Sequence, residues 1–318
     1  MSFFSPGLLR RVACGIGRPR QPDQPAAPPR QNGRHPRTLR AHLLLALVLL
    51  ASQAGASAAE PAGAAPGAAG KIGLQWYGQS AVRIRSPGGK IILIDPYLTE
   101  NPKTPARYKN LDTLGPIDLI LVTHAHPDHL GDAPALALSR NAPIIAPAGL
   151  ASSLAALGIV PPELAPRMNK GGTVMPLGPG IRVTMVHAEH SSELIWKNPA
   201  TGRNEVHVGG EPVGFIVELE NGFRIYHMGD TALFSDLRLI GERYHPDLVL
   251  APIGGHFVMD PADAAFAIRE WLKPAYVLPI HYGTFPVLKG TPEQFRAALG
   301  ESRTKVLALE PGQSLELY

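Results

Sequence analysis

A continuous apolar strand is expected from Leu119 to Thr123, and it runs directly into His124-Ala125-His126-Pro127-Asp128-His129. A strand without polar alternation has to be covered on both faces, so the chain needs a buried sheet whose end opens onto a histidine-rich loop. The rest of the pattern supplies such a sheet. Leu74 to Ile84 and Lys90 to Ile94, separated by Pro87-Gly88-Gly89, read as a hairpin, and Val213 to Leu219 with Phe223 to His227 read as a second one joined at Asn221-Gly222. Ile144 to Ala146, Ile181 to Val186, Leu248 to Ile253, Tyr276 to Ile280 and Val306 to Leu309 are further strands. Helices are expected at Ala133 to Ser139, Phe234 to Glu242, Ala262 to Leu272 and Pro292 to Leu299. Strands mixed with helices throughout predict a layered α/β fold. Glu193 to Glu211 is polar, carries Gly and Pro and lacks periodicity, so it reads as a long surface loop, of a size that often serves as a lid.

Net charge points at first toward an acidic partner, because the 318 residues carry 30 Lys and Arg against 26 Asp and Glu. The excess is confined to one end. Residues 1–58 hold eight arginines, no lysine and one acid, Asp23, whereas the remainder holds 22 bases and 25 acids. The body is mildly acidic, which excludes nucleic-acid binding by charge. The sole cysteine, Cys14, lies in the basic segment, so the body has neither an internal disulfide nor a thiolate metal ligand.

Pro19 to Arg37 is too rich in Pro, Gly, Arg and Gln to bury a core and is expected to be disordered. Leu43 to Ala51 is an apolar run of nine residues, preceded by Arg37 and Arg40 and followed by Ala56-Ser57-Ala58. These are the three parts of a secretory signal, and the run falls short of the about 20 apolar residues of a spanning helix. The expected organisation is a disordered leader with its signal peptide over residues 1–58, a linker over 59–70 and one domain over 71–318. It implies export to the periplasm, with no stable membrane insertion after cleavage.

His124 and His126, two residues apart on extended backbone, project to one side, and the turn at Pro127 brings Asp128 and His129 round from another direction. Two pairs of ligands can then face two neighbouring cations, and neutral imidazoles with a carboxylate suit Zn, Mn or Fe.

This His-x-His-x-Asp-His run resembles the signature of the metallo-β-lactamase superfamily, and the resemblance extends over about residues 72–318. It implies a four-layer αββα sandwich, in which two mixed sheets pack face to face between helix layers and the metal site lies along one edge. It also implies the remaining ligands. In Val186-His187-Ala188-Glu189-His190 the pattern favours His190 as the third histidine of the first site, with His187 as the alternative. Asp230, in Tyr226-His227-Met228-Gly229-Asp230-Thr231, corresponds to a carboxylate shared by both metals. His281, in Pro279-Ile280-His281-Tyr282-Gly283, is the last histidine. One ion would be held by His124, His126 and His190, the other by Asp128, His129 and His281, with Asp230 between them. Two divalent ions, Zn first and Mn or Fe as alternatives, are the implied cofactors.

Leu93-Ile94-Asp95-Pro96-Tyr97-Leu98, Gly229 to Asp236, Pro252 to Phe257 and Pro279 to Pro286 are similar to the metal-dependent hydrolase branch that includes ascorbate-6-phosphate lactonase-like proteins. Asp95 matches a carboxylate that orients a metal-binding histidine there. Gly78-Gln79-Ser80 departs from the Gly-His-Ser of that branch. The missing cysteine sets the body apart from the best-known zinc β-lactamases. The implied activity is hydrolysis of a small-molecule ester or lactone by a hydroxide bridging two metals. Asp128 would orient the nucleophile and carry its proton, and Tyr282 and His256 are candidates to act on the leaving group or oxyanion. A phosphodiesterase or phospholipase-like hydrolase, and a metal-binding module without turnover, are the alternatives.

Overall fold

The computed structural model describes residues 70–318; the expected leader, its signal peptide and all but the last residue of the linker lie outside the described residues. The first strands are β1 (Ile72–Gly78), β2 (Ala81–Arg85), β3 (Ile91–Ile94), β4 (Leu119–Leu121), β5 (Ile144–Pro147) and β6 (Arg167–Met168). After β7 (Thr173–Val174), β8 (Arg182–His187), β9 (Glu193–Lys197) and β10 (Asn204–Val208) come β11 (Val213–Glu218), β12 (Arg224–His227), β13 (Leu248–Pro252), β14 (Tyr276–Ile280), β15 (Lys305–Val306) and β16 (Ser314–Leu317). They assemble into two seven-stranded sheets of order β16-β1-β2-β3-β4-β5-β6 and β15-β14-β13-β12-β11-β8-β7. The helices are α1 (Pro127–Leu130), α2 (Ala133–Arg140), α3 (Ala148–Ala156), α4 (Asp236–Tyr244), α5 (Pro261–Phe266) and α6 (Pro292–Leu299).

The two-residue period of each strand divides its apolar side chains between two cores. Ile92, Ile94, Leu119 and Leu121 meet Val183, Met185, Phe215 and Leu250 between the sheets. Ile91, Leu93, Ile120 and Val122 point the other way, onto Leu136 of α2 and Leu150 and Leu154 of α3. On the far face of the second sheet, Val249, Ala251 and Val277 pack against Leu237 of α4, Ala264 of α5 and Phe295 of α6. The result is the αββα sandwich. It explains the unbroken apolar runs, since every central strand is covered twice. None of the described helices is long and apolar enough to cross a membrane.

Some boundaries differ from expectation. Leu74 to Ile84 is two strands, because Gly78 at φ +108° and Gln79 at φ +51° leave the extended region and fold β2 back on β1, pairing Trp76 with Val82. Glu193 to Glu211 is largely an antiparallel hairpin, β9 with β10, rather than a loop. Asn198 turns it by accepting from the N–H groups of Ala200 and Thr201, and Leu194 is buried on its inner face. The helix expected over Ala262 to Leu272 is α5 followed by a wider, π-type stretch over Ala267–Leu272. The strand expected over Val306 to Leu309 shortens to β15. α3, β6, β7 and β16 have no counterpart in the sequence reading; α3 is built largely from Ala, Ser and Gly, whose small side chains give a weak amphipathic signal.

Candidate metal centre

β3 runs parallel to β4, and β12, β13 and β14 run parallel to one another, so the loops that follow them emerge together at one edge of the sandwich. Asp95 follows β3, His124 to His129 follow β4, His190 follows β8, Asp230 follows β12 and His281 follows β14. Pro127 opens α1, and that single turn of helix swings Asp128 and His129 away from the line of His124 and His126. Gly229 has φ +64°, and a Cβ there would stand 2.7 Å from the carbonyl oxygen of Val213 and 2.9 Å from Cβ of Thr123. Only glycine lets Asp230 come this close to β4.

Three overlapping groups of ligand atoms result, His124 with His126 and His190, His124 with His129 and Asp230, and Asp128 with His129 and His281. Within each group the atoms lie within 4.8 Å of one another. Asp230 touches both halves, at 3.2 Å from Nε2 of His129, 2.9 Å from Nε2 of His281 and 3.6 Å from Nε2 of His190. His187 stands apart, between Lys170 and Glu189 and against the ring of Phe234.

The ring orientations are fixed from behind. Asp95 is fully buried and accepts from the Thr123 N–H at 2.8 Å, from the Thr123 hydroxyl at 2.6 Å and from Nδ1 of His129 at 2.8 Å. The Thr123 oxygen is then free to accept from Nδ1 of His124 at 3.1 Å. Both imidazoles therefore present Nε2 to the cleft. On the other side, Glu193 accepts from Nε2 of His126 at 3.1 Å, which leaves Nδ1 facing His124. His227, fully buried, fastens the β1–β2 turn to β12 through the Ser80 carbonyl and has a structural role.

A cation fits these donors. With Nδ1 of His129 committed to Asp95, Nε2 of His129 and Oδ1 of Asp230 are two acceptors that face each other, and both are buried without a hydrogen-bond partner. Where no cation is bound, protons take its place. Burial alone would push His281 down, but the Asp230 and Asp128 carboxylates lift it to about 9. His129 is driven the same way, well above the usual imidazole range, by Asp230, Asp128 and Asp95 against its burial. In return the two imidazoliums hold Asp230 and Asp128 below the usual carboxylate range, although burial opposes this. His124, whose shift is dominated by burial, stays neutral. Asp95→Ala is expected to weaken metal binding by about 10- to 100-fold, because His129 and His124 lose their orienting partner. Competition with a chromophoric chelator measures this, and unchanged affinity would contradict the role given to Asp95.

The cleft over these residues has a volume of about 420 Å³, and Tyr97, Pro127, Ser191, Phe257 and Phe285 complete its lining. Neither Tyr282 nor His256 belongs to it, which corrects the expectation drawn from their strand ends. Tyr282 stacks on Trp76 with ring centroids 5.2 Å apart and lines a separate cavity of about 370 Å³. His256 lies in another recess with Asp260 and Gln294. Tyr97, Phe257 and Phe285 escaped the sequence reading as wall residues, although each stands in a quoted motif. Gln79 was noted as a departure; it contacts Asp128 and His281 directly.

The β-lactamase superfamily domain profile matches residues 90–282. A UPF0173 metal-dependent hydrolase from Polaromonas sp. is 61% identical over 249 residues, which cover 78% of this chain and 91% of the relative. A second, from Cupriavidus necator, is 57% identical over 285 residues, covering 87% of this chain and 99% of the relative. Among solved structures, Igni18, a metallo hydrolase from the archaeon Ignicoccus hospitalis, superposes with a TM-score of 0.66 at 31% identity, over 78% of this chain and 99% of that one. Sandwich, histidine edge and these likenesses agree, and the chain belongs to the β-lactamase superfamily, within the family of UPF0173 metal-dependent hydrolases.

Proposed function

We propose that the protein is an exported dinuclear hydrolase of small, uncharged esters or lactones. The observation that carries the reading is a set of ligand groups joined by Asp230 at the floor of a cleft walled by Tyr97, Phe257 and Phe285, with no lysine or arginine in its lining. Two divalent ions, when bound, supply Lewis acidity and bring a shared water toward a pKa of about 7. His124, His126 and His190 would hold one ion, and Asp128, His129 and His281 the other, with Asp230 between them. Asp128 reaches into the cleft beside His281, so it accepts and carries the proton of the attacking water. The aromatic walls exclude water and take an apolar acyl or ring portion of the substrate.

A phosphate-bearing substrate fits less well. A dianionic group remote from the ions needs an arginine or lysine partner, and the cleft lining has none. This favours a neutral ester or lactone over sugar phosphates and over the phospholipid alternative. The test is a count of bound metal on the purified protein together with a screen of lactones, thioesters, β-lactams and bis(p-nitrophenyl) phosphate, with Asp128→Ala and His281→Ala as controls. Turnover of neutral esters or lactones that both substitutions abolish is expected. Activity indifferent to both substitutions and to chelation would sink the mechanism, and sole turnover of the phosphodiester would transfer the assignment to the alternative. Export rests on the basic segment, apolar run and Ala56-Ser57-Ala58 of the leader. N-terminal sequencing of the periplasmic protein is expected to begin after Ala58, and an intact N-terminus recovered from cytosol would refute it.

A further inference from the structure

Gln79 occupies the turn between β1 and β2 in a left-handed backbone conformation, φ +51°, which favours glycine. It is fully buried. Its carbonyl oxygen accepts from the main-chain N–H of His281 at 2.9 Å and from Nε1 of Trp76 at 3.0 Å, so the turn is tied to the backbone of a metal-binding histidine. The side chain enters the second group of ligands. Its amide nitrogen lies 2.9 Å from Oδ2 of Asp128 and 2.7 Å from Nε2 of His281, while its oxygen is buried with no partner.

As placed, the amide nitrogen can donate to Asp128, but its approach to Nε2 of His281 leaves that contact without a hydrogen bond once a proton or a cation occupies Nε2. With a cation on Nε2 of His281, that lone pair is used, so an amide N–H can donate only to Asp128 and the amide oxygen is left buried without a partner. A half-turn of the carboxamide exchanges its two ends, which have nearly the same shape, and places the oxygen, an accepted donor to divalent ions, among Asp128 and His281. We propose that Gln79 is a protein ligand of the second metal position, its carboxamide oxygen joining Asp128, His129 and His281. The departure from the Gly-His-Ser pattern then places a neutral oxygen donor at this position, and oxygen donors favour harder ions. The proposal rests on the dinuclear reading above.

Two substitutions in the full-length chain separate a ligand from a hydrogen-bond donor that only steadies Asp128. Zn(II) alone is the probe, titrated against a chromophoric chelator, with thermal melts of the metal-free proteins alongside. Gln79→Leu is expected to weaken the second ion by about 10- to 100-fold, leave the first unchanged and leave the metal-free melt no lower. Gln79→Glu, nearly the same shape but an anionic oxygen donor, is expected to bind the second ion more tightly than the wild type. Tighter binding by Gln79→Glu supports ligation even if Gln79→Leu fails to fold. Weaker binding by Gln79→Glu overturns it, because a carboxylate cannot donate to Asp128 and repels it. Unchanged second-ion affinity in both variants overturns it as well. A wild-type protein that binds only one ion defeats the dinuclear reading and this inference with it, whereas two ions with unaltered variants defeat the inference alone.

Discussion

Asp230→Ala is expected to lower kcat/KM by about 10³-fold or more toward whichever neutral ester or lactone proves to be turned over. Asp230 is the one carboxylate in contact with three of the site's imidazoles, those of His129, His190 and His281. In the proposed dinuclear centre its loss removes the anion between the two ions, and it leaves His129 and His281 facing each other across a site with one negative charge fewer. A metal ion supplies several kcal/mol of charge stabilisation in the transition state, and about 4 kcal/mol corresponds to roughly 10³ in rate. The companion measurement is metal content, expected to fall below two ions per chain. Asp230→Asn keeps the shape, removes the charge and should behave like the alanine variant. Two retained ions with kcat/KM within tenfold of wild type in either variant would show that Asp230 does not hold the centre together.

Stripping the metal is expected to cost about 4 kcal/mol of stability where free ion exceeds its dissociation constant about a thousandfold, or roughly 10 °C in melting temperature for a domain of this size. The loss should depend on pH with a definite sign. In the stripped protein His281 has its pKa raised from 6.5 to about 9, so its contribution is complete below about pH 6.5 and disappears as pH rises through about 9. Asp230, depressed below its ordinary 3.8, contributes above that value and loses its contribution as pH falls toward its lowered pKa. For these groups, the stripped protein is most stable between about pH 4 and 6.5. Metal binding instead displaces the protons on His129 and His281, so the stability it confers grows with pH up to about 9. Melts with excess Zn(II) and with chelator, at pH 6, 7, 8 and 9, should diverge steadily. A constant gap would mean that the two imidazoles carry no proton for the metal to displace.

The central strands and the His124 to His129 cluster were legible because both are short-range in sequence, whereas His190, Asp230 and His281 were pointed to only by the resemblance, and the fold brings them to the same edge. Leu248–Pro252 and Tyr276–Ile280 are apolar without interruption, as doubly covered strands must be, and the residues of the site sit one to a few positions beyond such runs. What was missed depends on side-chain direction and on distant segments. Tyr282 directly follows His281, yet its ring turns onto Trp76, because neighbouring residues diverge where the backbone leaves a strand. Tyr97, Phe257 and Phe285 come from three loops that no spacing rule connects. The β9–β10 hairpin carries the alternation of Glu193-Leu194-Ile195-Trp196-Lys197 and a turn at Asn198 to Gly202, which its polar composition obscured. Gln79 stood inside a run that otherwise reads as one strand, and only the left-handed turn reveals why it lies beside Asp128.

Gln79 at φ +51°, Asp95 at +46° and His281 at +54° are three of the seven non-glycine residues that adopt left-handed backbone among the described residues, and all three lie at the metal edge. Each such conformation costs of order 1–3 kcal/mol. Glycine at any of these positions would relieve that strain and remove a contact on which the metal centre depends. Attempts to raise the melting temperature of this protein by substitution will therefore find their easiest gains where they do most harm to function, and a thermostable variant is better sought on the outer faces of α4 and α6 than at the ends of β1, β3 and β14.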